Sequence, residues 1–222
     1  PPRFEVHIDR DNSNEVNITE ANRYQKLLYE WWLDYWDYVR TLAGVRGKTR
    51  KRRVIVLHLG DCVDGLHHHS PQVMNEPADQ IQAAFDLLRP VAELADGGMW
   101  ITYGTGSHNG GCAEHEVTLA RMLGERVHHG WEHVLDIDGV VIDIAHHGRA
   151  GRRDWSSSAA GLASEVVMDY VADGKRPPRY VLRGHNHIID DSGDKITCTR
   201  AISMPAWQLR TAYGHRAAPN RR

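Results

Sequence analysis

Apolar positions follow two rhythms along this chain, and together these lay out its elements. Over about residues 19–43, Tyr24, Leu27, Leu28, Trp31, Tyr35, Tyr38, Val39 and Leu42 recur at three- and four-residue steps. That spacing predicts one long helix with an apolar face, capped at Thr19 and widened by Trp32 and Trp36. An aromatic stripe of this kind packs into a core far more often than it stacks on bases, and core packing is the expectation here. Helical spacing returns at Ile81, Ala84, Leu88 and Val91 (helix over 77–95), over 112–126, and over 156–172, where Pro177 and Pro178 follow. Short β-branched runs bounded by glycine predict strands over 54–59, 99–103, 131–137, 140–145 and 180–183. Asp138-Gly139 is a hairpin signal between two of them. Further strands are expected over 4–8, 195–203 and 206–213, and a frayed basic tail over about 214–222. The alternation predicts a single α/β layered domain spanning 1–222, with sheet strands from both halves.

Composition narrows the function. Hydrophobic residues at 41%, charged residues at 25% and a formal net charge of −2 describe an ordinary globular chain. They provide no general attraction to nucleic acid or to a membrane surface. No apolar run approaches the roughly 20 residues of a membrane-spanning helix. The basic run Arg46, Lys48, Arg50, Lys51, Arg52 and Arg53 reads first as a solvated loop; as a phosphate-steering patch it would bind nucleic acid in a salt-dependent way. Three widely spaced cysteines (Cys62, Cys112, Cys198) form no C-x-x-C pair, which points to a reducing, cytoplasmic compartment. The 15 histidines are the outlier. They matter if they converge, because neutral imidazole is the commonest metal ligand.

Their positions make convergence the expectation. The strand over 54–59 runs into Gly60-Asp61-Cys62-Val63-Asp64-Gly65. The next ends in Gly104-Thr105-Gly106-Ser107-His108, the strand over 140–145 in His146-His147-Gly148, and the strand over 180–183 in Gly184-His185-Asn186-His187. Strands of one sheet can bring their C-terminal ends to a common edge, where α/β proteins bind ligands. Carboxylate and imidazole together suit Mn, Fe, Ni or Zn, and one bridging carboxylate with several histidines is the inventory of a two-metal hydrolase. Each piece recurs by chance alone; the ordered series, each member following an apolar strand, is specific.

The series resembles the calcineurin-like metallophosphoesterase superfamily, a β-sandwich flanked by helices, over about residues 53–205. The wording around the motifs is similar to its phage and prophage branch. The resemblance makes Asp61 the carboxylate bridging two divalent metal ions and Asp64 its outer partner. It places His185 on the second ion, His187 on the first, and one of His146 and His147 on the second. His108 would contact substrate and assist the leaving group. Two departures stand out. Ser107 replaces a metal-binding Asn, so His108, His67 or His68 is expected to fill that position. The family's opening D-x-H motif is also absent ahead of Asp61, and the expectation is that its strand lies upstream of Pro1.

The implied reaction is hydrolysis of a phosphomonoester or phosphodiester by a metal-activated water. Arg149, Arg152 and Arg153 are candidates to clamp the substrate phosphate. The competing readings are a binding or scaffold module that kept the fold without catalysis, and a metal-dependent nuclease acting on DNA.

Overall fold

In a computed structural model, the chain is described over residues 5–9, 16–45, 52–65, 74, 76–147, 159–194 and 198–209. The expected strand near residue 5 is present as β1 (Glu5–Asp9), paired antiparallel with β2 (Val16–Glu20) in a two-stranded sheet. Because β2 runs through Thr19, helix α1 (Arg23–Ala43) starts later than its sequence signal. Asn22 caps it. Its side-chain oxygen accepts from the N–H groups of Tyr24 and Gln25, while Gln25 accepts from the Asn22 N–H, a reciprocal capping box. Gly44, in the left-handed region, ends the helix.

The remaining strands divide between two sheets rather than sharing one. The first is parallel, in the order β3 (Val56–His58), β4 (Met99–Thr102), β5 (Val127–Gly130). Helices α2 (Pro77–Leu94) and α3 (Glu114–Leu123) cover it. Their core gathers Val56, Met99, Ile101, Ile81, Leu88, Val91 and Leu119 with Trp36 of α1. Each fully buried side chain of this size contributes about 1.5–3 kcal/mol. The second sheet is mixed: β6 (Glu132–Ile137), β7 (Val140–Ala145), β8 (Tyr180–Arg183), β10 (Arg200–Ser203) and β9 (Asp190–Asp191). Helix α4 (Ala159–Ala172) packs Leu162, Ala163 and Val166 against Val181 and Ala201. The architecture is therefore mixed α/β, two sheets flanked by helices. Strand β5 was absent from the sequence reading because its Val-His-His-Gly run has no apolar alternation. Residues 206–209 are not a strand, and the rest of that expected element lies outside the described residues.

The aromatic face of α1 is a correction. Trp36 and Ala43 are buried, and Trp32 and Val39 pack beside the core. Tyr24, Trp31, Tyr35, Tyr38 and Leu42 are exposed instead. The helix carries two stripes at helical spacing, and the core selects the one through Trp32, Trp36, Val39 and Ala43. Periodicity cannot rank two stripes that are both apolar.

Among the described residues, no helix is long and apolar enough to cross a membrane.

Beneath the C-terminal ends of β7 and β8 lies a buried ion pair. Arg183 Nη1 stands 2.7 Å from Asp143 Oδ1. Tyr170 of α4 donates to Asp143 Oδ2 at 3.1 Å, and Arg183 Nη1 also donates to the Asp143 carbonyl. This network ties α4, β7 and β8 together immediately before the residues that carry the histidines.

Candidate metal centre

The site forms where the ends of the two sheets meet. Asp61 follows β3 and the loop from Gly104 follows β4; His146 and His147 follow β7, and His185 and His187 follow β8. Close approach is possible because the turns lack side chains. A Cβ at Gly104 would collide with the carboxylate and amide of Asp61, and one at Gly60 would stand 2.8 Å from His146 Nδ1. Asp61, His185 and His187 have φ of 51°, 65° and 56°. Non-glycine residues hold the left-handed region at a cost of about 1–3 kcal/mol each, and such strain concentrates at functional sites.

His146 is at the centre and is buried. Its Nδ1–H donates to the Leu59 carbonyl, and its Nε2 lies 3.0 Å from Asp61 Oδ2. Nε2 is therefore the atom that presents either a proton or a lone pair to the site. Burial works against charge on this ring, but the hydrogen bond and charge of Asp61, with the Leu59 carbonyl, raise its pKa above the usual imidazole value. Burial likewise pushes the Asp61 carboxyl up. The His146 hydrogen bond and charge, the Thr105 N–H and His108 outweigh that and hold it below its ordinary range.

Histidines 146, 147 and 185 each offer a ring nitrogen within 4.8 Å of the other two, which is close enough to share one ion. His146 and His147 both stand in this group. Burial, with the neighbouring histidine charges, lowers the His185 pKa to about 4. Burial and His146 lower that of His147. Both rings are thus neutral near pH 7, the form in which imidazole binds metal.

Thr105 was not singled out from sequence, yet its hydroxyl lies inside the cluster. Oγ1 stands 3.2 Å from His146 Nε2, 3.1 Å from His185 Nδ1 and 3.5 Å from Asp61 Oδ2, and the Thr105 N–H donates to Asp61 Oδ1 at 2.7 Å. Gly104, the residue before it, is held at both its N–H and its carbonyl. Glu116 accepts from the Gly104 N–H at 3.1 Å and Asn109 donates to the Gly104 carbonyl at 2.9 Å, both side chains being fully buried. His58 was also missed. It is hydrogen-bonded through Nδ1 to the Gly60 N–H, and burial and His146 lower its pKa to about 4. Only the strand-end position of Gly104 signalled Thr105; nothing in the sequence pattern separates Asn109 or Glu116 from ordinary loop and helix residues.

His108 donates from Nδ1 to the Asp64 carbonyl at 2.6 Å, with the Asp64 carboxylate 4.0 Å away. Asp64 thus meets His108 rather than the three-histidine group. His187 is exposed at the residue level and lies outside that group; partial desolvation of its ring by the surrounding loops still lowers its pKa against the pull of Asp61. Ser107 is exposed, and its carbonyl packs against Gly65. His67, His68, Arg149, Arg152 and Arg153 fall outside the described residues.

No protein-family model matches the chain, and no curated protein matches it. Among solved structures, the fold is similar to that of Vps29 from Entamoeba histolytica, crystallised in complex with Zn2+. Identity is 13%, the TM-score is 0.37, and the match covers 68% of this chain and 73% of that one. The likeness is one of architecture at low similarity. What stands on this chain's own residues is a mixed α/β protein whose two sheets bring a histidine cluster and a strained carboxylate together.

Proposed function

We propose that this chain is a divalent-metal-dependent hydrolase of phosphate esters, with His146, His147, His185 and Asp61 as the metal-holding set. The observation that carries this reading is the convergence of three imidazole nitrogens within 4.8 Å of one another, with Asp61 3.0 Å from one of them. The donor set fits a borderline transition metal such as Zn, Mn, Fe or Ni. The Leu59 carbonyl fixes the tautomer of His146 so that Nε2 faces the site, an arrangement common among metal-binding histidines. A divalent ion held there would supply Lewis-acid polarisation of a phosphoryl oxygen and a water of lowered pKa, and Asp61 and His187 would be the residues available to a second ion.

The other steps belong to the side chains. Asp61, pinned by the Thr105 N–H, supplies fixed negative charge that orients the cation. His108, its ring oriented by the Nδ1 hydrogen bond to the Asp64 carbonyl, would turn Nε2 toward the departing oxygen and assist it as a hydrogen-bond or proton donor. The substrate would be a phosphomonoester or phosphodiester, DNA included, and cleavage of DNA would weaken steeply with salt.

One observation favours a second reading, a binding module without catalysis. Asp61, His146, His185 and Thr105 already satisfy one another through hydrogen bonds and an ion pair. The decisive experiment measures metal content and Mn2+- or Zn2+-dependent hydrolysis of p-nitrophenyl phosphate and bis-p-nitrophenyl phosphate. Wild type is compared with Asp61→Asn and His185→Ala. Turnover that both substitutions abolish supports the hydrolase. Bound metal without turnover supports the module, and equal turnover in all three proteins sinks the metal assignment.

A further inference from the structure

Helix α1 leaves one apolar stripe exposed. We infer that two copies of this chain pair through it, antiparallel, about a two-fold axis at the level of Leu33. Tyr24, Trp31, Tyr35, Tyr38 and Leu42 are 63%, 49%, 46%, 60% and 47% exposed, and Leu28, half-buried, lies in line with them. Singly exposed apolar residues are ordinary, but a continuous helical row of them is not. A side chain of this type buries about 150–250 Å² when fully covered, so each open aromatic here offers roughly 100 Å². Trp207, half exposed and edge-on to Tyr35 at 5.6 Å, extends the patch. With Leu27, the patch reaches about 700 Å² per copy. That exceeds the 300–600 Å² of the largest patch on a typical monomer and approaches the ~800 Å² per partner of a stable interface.

The spacing selects a second copy as the occupant. Positions 24, 28, 31, 35, 38 and 42 are separated by four, three, four, three and four residues, a series that reads the same from either end. A two-fold at residue 33 therefore sets Tyr24 against Leu42, Leu28 against Tyr38 and Trp31 against Tyr35. Every apolar layer meets an apolar layer, as an isologous contact requires, and the alternating step is that of a coiled-coil seam. A lipid surface fits less well. Helices that lie on membranes are rich in Lys and Arg, whereas Arg23, Lys26 and Arg40 here are balanced by Glu30, Asp34 and Asp37. The buried side of α1, through Trp36, stays on its own core, so pairing needs no rearrangement of the fold.

Sedimentation equilibrium on the full chain over roughly 1–100 μM tests this directly. Wild type should show twice the chain mass, and Trp31→Glu or Tyr38→Glu should weaken association at least tenfold with an unchanged circular dichroism spectrum. Cysteine pairs then test the register in a Cys112→Ser/Cys198→Ser background. A Tyr24→Cys copy mixed with a Leu42→Cys copy should form a mixed disulfide in preference to either self-pair. A single-chain mass throughout, a double mass insensitive to both glutamates, or preferential self-disulfides at Tyr24→Cys would each overturn the proposal.

Discussion

His146 Nε2 lies 3.0 Å from Asp61 Oδ2, one side chain carried by the five-stranded sheet and the other by the turn after the three-stranded sheet. A proton on Nε2 and a metal ion at that nitrogen compete for the same lone pair. Metal binding should therefore release protons and weaken as pH falls.

His146→Ala and Asp61→Asn should each weaken Zn2+ binding by about 100-fold or more. Loss of a partner behind a ligand already costs about 10–100-fold, and these are the proposed ligand positions themselves. Competition with a chromophoric chelator measures the effect, and His129→Ala, on the exposed edge of β5, serves as the control with unchanged affinity.

Gly104→Ala should destabilise the fold by about 1–3 kcal/mol, the usual cost of forcing a methyl group into a packed site. The added carbon meets the Asp61 carboxylate and amide, and the surrounding backbone is clamped by Glu116 and Asn109. Urea denaturation of the metal-free protein would show it as a lower midpoint. Gly106→Ala, with open space around it, should not shift that midpoint through steric contact.

The metal-free protein should lose stability as pH falls from about 6.5 toward 4. His58 and His185, both lowered by burial to about 4, and His147 and His187, lowered in the same direction, stay neutral in the fold. The unfolded chain takes up protons on them first, at about 6.5, so stability rises with pH across this window. His146 runs the other way: its raised pKa adds stability below about 6.5 that is lost as pH rises through its folded value. Asp61 contributes above about 3.8 and fades only below that. His133, lowered as well, joins the first four, while Glu116, raised by burial, sides with His146 above about 4.5, so five groups oppose two. Thermal midpoints in EDTA should peak near neutral pH, and His146→Gln should flatten the alkaline side.

Arg183→Met should cost about 3–5 kcal/mol, because it leaves the Asp143 carboxylate buried without its counter-charge. The double variant Asp143→Leu/Arg183→Met should recover most of that loss, since paired burial of charge is itself expensive. Urea midpoints of the three proteins decide it. A double variant no better than Arg183→Met would mean that the pair acts through shape rather than charge.

The sequence by itself determined the local elements and the chemical inventory. Helical spacing in α2, the Asp138-Gly139 hairpin and the short strands before Asp61, His146 and His185 were legible because near-neighbour physics governs them. Strand-end glycines next to Asp61 and His185 were legible for the same reason. Only the tertiary structure decided how strands divide between two sheets, that His146 and His147 both join His185, and that Thr105 stands among them. These depend on contacts between residues far apart in the chain, which no periodicity encodes. The same holds for α1. Its two apolar stripes are equivalent in spacing, and the core around the three-stranded sheet took in Trp36 while leaving Trp31, Tyr35 and Tyr38 at the surface.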